Sequence, residues 1–260
     1  MCTVTIVRVG PDSLRLACNR DESRRRPSAL PPSIRDCGQR RAILPIDPVG
    51  GGTWIGVNDA GIAATLLNVY ESPAQALAPE TALGHSPALS IPTGFKSRGT
   101  IIPILFSEQS FERAMMRVRE LQPSDFPPFR LIVLNDESLL EAASDGSALR
   151  VNHCAIGAQP RLFTSSGLGD AVARESREAQ FAEMFGAEPN WAAAQAAFHR
   201  HSWPQRREIS VCMERAEART VSHTLIEIQR DRVIATYTPG APDRVTALPT
   251  ICLPRVAGAR

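Results

Sequence analysis

The sequence predicts an α+β fold in which two mainly antiparallel sheets are stacked between layers of helix. Apolar strand-like segments come in pairs around short turns, amphipathic segments come as two adjacent pairs, and single strands do not alternate with single helices as a parallel sheet requires. The chain is also long enough to support such layers. Its 260 residues are 43% hydrophobic and 22% charged, and a domain of this size buries roughly three quarters of its unfolded surface without disulfides or metal.

The elements follow in order along the chain. Cys2 to Val9, rich in Thr and Val, and Ser13 to Cys18 read as strands on either side of the turn Gly10-Pro11-Asp12, so a hairpin opens the sequence. Thr53 to Val57 and Ile62 to Val69 form a second hairpin around Asn58-Asp59-Ala60-Gly61, whose residue types suit a tight turn. Glu71 to Pro92 contains Pro73, Pro79, Pro87 and Pro92 and has neither periodicity; it reads as a loop, either a flap over the start of the chain or a passive surface connection. Apolar residues at helical spacing predict helices over 97–106 and 110–121, the second capped by Ser110. Phe129 to Leu134, Ser138 to Ala143 and Ala148 to His153 form a meander, and Arg161 to Thr164 adds a strand. A second helix pair is expected over 170–185 and 190–199, and Thr220 to Gln229 with Val233 to Tyr237 makes a last hairpin. No repeat or break in composition marks a boundary, so 1–260 is expected to be one domain.

Composition excludes several functions. Lys+Arg is 29 against 27 for Asp+Glu, a net charge of +2 that gives no electrostatic case for nucleic acid or an anionic membrane. Lys96 is the only lysine, a bias that GC-rich codon usage explains better than phosphate recognition. No apolar run approaches a membrane span and no secretory leader precedes Val9, so a cytoplasmic protein is expected. The six cysteines include no C-x-x-C pair, so reduced thiols are expected and neither a metal nor a cofactor is. His199 and His201 lie on a helix end facing different sides and read as surface residues.

Chemistry is suggested at two places. If residues 8 and 13 face each other across the first turn, Cys2 lies opposite Asn19; a slip of one residue sets it opposite Arg20. Either register brings a thiol against the polar run Asn19-Arg20-Asp21-Glu22, the surroundings of a reactive cysteine. Were Met1 removed, Cys2 would carry a thiol and an α-amine whose unperturbed pKa of roughly 7.7 to 8.0 suits a general base. N-terminal nucleophiles work in this way. The same residues also read as a small buried strand residue beside a solvated strand end. In the second hairpin Asn68 falls opposite Gly51 of Gly50-Gly51-Gly52, where its amide could donate to a developing oxyanion or simply end a strand. No Lys-Ser/Thr follows the triglycine, and the chain enters a strand, so it is a poor phosphate cradle.

Cys2 after Met1, Asn19-Arg20-Asp21-Glu22, Arg26-Pro27, Gly51-Gly52-Thr53-Trp54-Ile55-Gly56-Val57-Asn58, Gly61, Leu67-Asn68 and Ser97-Arg98-Gly99 resemble the NRDE family, whose eukaryotic members are called transport and Golgi organisation protein 2. Ser210-Val211-Cys212-Met213, Ala218-Arg219-Thr220-Val221-Ser222 and Tyr237-Thr238-Pro239-Gly240 resemble its bacterial members. The family in turn is similar to N-terminal-nucleophile hydrolases of the choloylglycine hydrolase and penicillin V acylase group. That resemblance implies a four-layer α-β-β-α sandwich and a cysteine amidohydrolase acting on a linear C–N amide bond of a small acylated substrate. It implies Cys2 as nucleophile, Arg20 lowering its pKa, Asp21 orienting the amine and Asn68 as oxyanion donor. Asn19 and Trp54 would line the substrate site. Thr164-Ser165-Ser166-Gly167 stands where the hydrolases place a second Asn, which brings in Ser165 and Ser166, and Arg219 stands for their late arginine. The partner expected is a small-molecule amide or acyl ligand. The other reading is a non-catalytic binding or trafficking protein for a lipid, acyl or haem ligand on the same fold, because eukaryotic relatives are implicated in such handling.

Overall fold

The structure, a computed structural model, describes residues 2–69, 94–187 and 190–256. The expected loop from Glu71 to Pro92 lies outside them. Strands β1 (Cys2–Arg8) and β2 (Ser13–Ser23) are buried on both faces for most of their length, which a strand in an inner layer requires. They belong to an antiparallel sheet ordered β10-β1-β2-β11-β12-β13, with β10 Arg161–Thr164, β11 Ala218–Gln229, β12 Arg232–Thr238 and β13 Ile251–Pro254. The second sheet runs β3 to β9 in chain order: Leu30–Cys37, Arg40–Ile46, Ile55–Asn58, Ala63–Asn68, Phe129–Leu134, Ser138–Ser144 and Leu149–Ala155. Every pairing between these strands is antiparallel.

Four helices fall where helical periodicity predicts them. Helices α1 (Ile101–Phe106) and α2 (Phe111–Arg119) cover the second sheet, and the Ser110 side chain accepts from Arg113 N as the N-cap of α2. Helices α3 (Asp170–Ala187) and α4 (Trp191–Arg200) cover the first, with Asn190 capping α4. The order is therefore α-β-β-α, and a core of inward-facing residues including Val4, Leu16, Val57, Ile132 and Ile226 lies between the sheets. Among the described residues no helix is long and apolar enough to cross a membrane.

The first hairpin takes the second of its two expected registers, and the second hairpin differs from expectation by one residue. Arg8 pairs with Leu14, which sets Cys2 opposite Arg20; the turn holds Gly10 at φ +74°, and Val9 N donates to Ser13 O. In the second hairpin Val57 pairs with Ala63. There Asn58 Oδ1 accepts from Ala60 N and Ile62 N, widening the turn around Gly61. β3, β4 and β13 are not foreseen. β3 carries Pro31 and Pro32, but it is an edge strand whose register shifts between Leu30 and Ser33, the setting in which a sheet tolerates proline. His199, read as a surface residue, is 1% exposed; α4 turns it toward β1 and β2.

Candidate active site

Period-two alternation splits the polar residues of the first hairpin between two faces. Cys2, Cys18 and Arg20 face the other sheet, whereas Thr3, Thr5 and Asn19 face α3 and α4.

On the inter-sheet side Cys2 is 4% exposed and packs in the same cluster as Cys18. A hydrogen bond from the Cys18 thiol lowers the Cys2 pKa below the ordinary thiol value against the effect of burial; the Asp21 charge opposes it and the Arg20 charge adds to it less strongly. The same bond, together with burial, pushes Cys18 well up. Burial also raises Cys37, and burial with Asp243 takes Cys212 to about 12. The thiolate is thus favoured at Cys2 in particular.

Arg20, directly across from Cys2, stacks its guanidinium 4.4 Å from the centre of the Trp54 ring. It also meets Asp47 Oδ2 at 3.2 Å and Glu22 Oε2 at 3.4 Å. Asp47 is shared with Arg26 at 2.6 Å, and its Oδ1 accepts from Val49 N at the start of the glycine run. Gly52 is fixed by packing. A Cβ there would stand 2.4 Å from the Gly99 carbonyl carbon, and Thr53 N donates to Gly99 O, so the Gly-Gly-Thr-Trp and Ser-Arg-Gly segments are one close backbone contact that seats Trp54. The Trp54 carbonyl accepts from Leu66 N and Thr65 Oγ1.

At the start of β1, Cys2 N donates to Ser165 Oγ at 3.1 Å and Ser165 N donates to Cys2 O at 2.9 Å. Ser166 N donates instead to Asp170 Oδ1, at the first turn of α3. Asp21 is 1% exposed and accepts from Thr220 Oγ1 at 2.6 Å; burial raises its pKa while Arg177 and Thr220 oppose that. Arg177, on α3, reaches Asp21 at 4.0 Å and donates to Thr3 Oγ1, Thr164 Oγ1, Ile209 O and Ser210 O.

The structure therefore brings together Cys2, Arg20, Asp21, Trp54 and Ser165. Asn19 faces away: its Nδ2 donates to His199 O and Val211 O, and its Oδ1 meets His199 Nδ1 and His223 Nδ1, so all its bonding capacity is spent on joining α4 to β2 and β11. Asn68 pairs with Phe129 at the end of β6. Alternation puts it on the side of Ala64 and Leu66, which pack under α1 and α2, whereas Leu67 belongs to the inter-sheet core. Arg219 is exposed on β11, opposite Glu22.

Cys18, Arg177 and Ser222 were not singled out from the sequence. Ser222 lies opposite Arg20 on β11, and its buried hydroxyl has no hydrogen-bond partner. The only signal for Cys18 was its place two residues before Arg20 on the same strand face. Among the described residues no group of three or more His, Cys, Asp or Glu gathers to hold a metal.

Solved structures share this architecture. A Caenorhabditis elegans N-acylethanolamine-hydrolyzing acid amidase ortholog superposes with a TM-score of 0.52 at 12% identity, over 97% of this chain and 100% of that one. Two variants of conjugated bile acid hydrolase from Clostridium perfringens each give 0.51. One is 10% identical over 100% of this chain and 98% of its own; the other is 12% identical over 95% and 92%. At such identities the likeness is one of fold, the N-terminal-nucleophile hydrolase sandwich. No curated protein matches the chain. A family profile matches residues 1–160, the stretch that carries Cys2, Arg20, Asp21 and Trp54, and the chain belongs to the Transport and Golgi organisation 2 family.

Proposed function

We propose that the protein is a cysteine N-terminal-nucleophile amidohydrolase that cleaves a linear amide of a small acylated compound. The observation that carries this reading is the Cys2 thiol. It is held toward thiolate chiefly by Cys18, and the nitrogen of the same residue lies against Ser165 Oγ. Once Met1 is removed, that nitrogen is an α-amine with an unperturbed pKa close to neutral. It takes the thiol proton as sulfur attacks the amide carbonyl, and passes it to the departing amine; water then releases the acyl group from Cys2. Asp21, charge-paired with Arg177, lies close enough to Cys2 to steady the ammonium that forms. Trp54 and Ser165 border the substrate. A linear amide is also the bond implied by the names of the structural neighbours, an N-acylethanolamine hydrolase and a conjugated bile acid hydrolase.

Intact mass and a panel of N-acyl amides test the reading together. The expected result is loss of Met1 and turnover that disappears in Cys2→Ala. A retained methionine, or no turnover of any amide by processed wild type, overturns it in favour of a ligand-binding protein for a lipid, acyl or haem group.

A further inference from the structure

Trp54 is 7% exposed, and its indole N–H is buried with no hydrogen-bond partner. Native folds seldom leave a buried donor in this state, and where they do the group commonly has work with a ligand. The surroundings of Trp54 are otherwise well satisfied. Its carbonyl accepts two hydrogen bonds, and the Gly52–Gly99 contact fixes the backbone just before it. Its ring lies beneath Arg20, the residue directly opposite Cys2, and it packs in the same inter-sheet cluster as Cys2.

The chemistry of the pair narrows what the N–H is for. Indole nitrogen only donates, so its counterpart is an acceptor. The guanidinium over the ring draws electron density from it and strengthens the N–H as a donor. Arg20 itself is matched by Asp47 and Glu22, so the place offers a hydrogen bond with little net positive charge, suited to an uncharged carbonyl rather than a carboxylate. Strand alternation assigns Asn68, the donor expected from the sequence, to the face of β6 that carries Ala64 and Leu66.

We propose that Trp54 Nε1–H is an oxyanion donor for the carbonyl that Cys2 attacks. The inference rests on Cys2 being the nucleophile. As the sulfur lone pair forms the S–C bond, the carbonyl π pair moves to oxygen and meets the indole N–H. Collapse restores C=O and breaks the bond to the leaving group, which departs with that pair.

The test uses the full chain, wild type and Trp54→Phe, with two probes. p-Nitrophenyl acetate acetylates Cys2 through an oxyanion and releases p-nitrophenolate. Iodoacetamide alkylates the same sulfur by displacement at saturated carbon, where no oxyanion forms. Both adducts are followed by intact mass and peptide mapping. Trp54→Phe keeps an aromatic ring under Arg20; it is expected to slow acetylation about 100- to 1000-fold and to leave alkylation unchanged. Equal acetylation in the two proteins overturns the assignment, as does a parallel slowing of both reactions. Wild type that alkylates but never acetylates at Cys2 overturns the nucleophile reading and this inference with it. If Trp54→Phe does not fold, benzothienylalanine at position 54, with sulfur in place of the N–H, gives the same comparison.

Discussion

The two faces of the β1–β2 hairpin use polar residues in opposite ways. On the helix side Thr3, Thr5, Asn19, Arg177, Gln195 and His199 form a network in which donors meet acceptors: Gln195 Nε2 donates to Thr5 Oγ1, Thr5 meets His199 Nε2 at 2.7 Å, and Asn19 receives two imidazoles. On the inter-sheet side the Trp54 N–H and the Thr224 hydroxyl are buried without partners, and two thiols share one hydrogen bond that drives their pKa values apart. A saturated network fixes geometry, because each group has a single low-energy arrangement. An unsaturated one keeps capacity for something that is not part of the chain. One hairpin thus holds the scaffold with Thr3, Thr5 and Asn19 and presents Cys2, Cys18 and Arg20 on the other face, while Asp21, paired with Arg177, links the scaffold network to Cys2.

The largest effect that sharpens this contrast is expected at Arg177. Arg177→Leu removes the buried partner of the Asp21 carboxylate on α3 and strands the Ile209 and Ser210 carbonyls. Breaking a buried pair by removing one partner costs about 3–5 kcal/mol, to be read as a lowered urea midpoint. The population that remains folded should still alkylate at Cys2. A variant of native stability would show that the helix face is not the scaffold described.

Cys18→Ala should have a smaller effect, confined to the other face. Without the S–H donor the Cys2 thiolate loses a hydrogen bond to a charged atom, worth about 1.5–3 kcal/mol. The sign follows from which form is stabilised. Losing the donor raises the Cys2 pKa, so the alkylation profile moves to higher pH and the rate at pH 7 falls by at least about tenfold. Cys18→Ser, which keeps a donor, should recover part of it. An unmoved profile in Cys18→Ala would separate the two thiols.

What could be read in advance follows from how local each signal is. The hairpins around Gly10 and Asn58 and the capped helix after Ser110 rest on turn and cap chemistry within a few residues, and all three form. Hairpin register is open by one residue because one added turn residue shifts pairing without altering the apolar pattern. β3 is hidden by Pro31-Pro32, which ordinarily argue against a strand unless its place at a sheet edge is known. The site splits in the same way. Cys2 and Arg20 lie on one hairpin and are brought together by local pairing, whereas Arg177 meets Asp21 from 156 residues away and is indistinguishable in sequence from the exposed arginines around it. Asn19 misleads for a related reason: adjacency to Arg20 suggests a shared site, but neighbours on a strand point to opposite faces.

The smallest effect is expected at Asn68, and it tests the face rule at its weakest point, the last residue of a strand. The resemblance and a pairing with Gly51 both point to Asn68 as an oxyanion donor; β5 and β6 pair one residue further along, and Leu67 takes the inter-sheet position. If side-chain face decides role, Asn68→Ala removes an amide from the side that packs under α1 and α2 and should slow acetylation of Cys2 by far less than the ~100-fold typical of a lost oxyanion donor. The measurement is the acetylation-to-alkylation ratio used for Trp54→Phe, which cancels any general change in the thiol. A ratio that falls ~100-fold in Asn68→Ala would mean that the chain turns the amide across the strand end toward Cys2, and the division between scaffold face and reactive face would then hold for the first hairpin but not for the second.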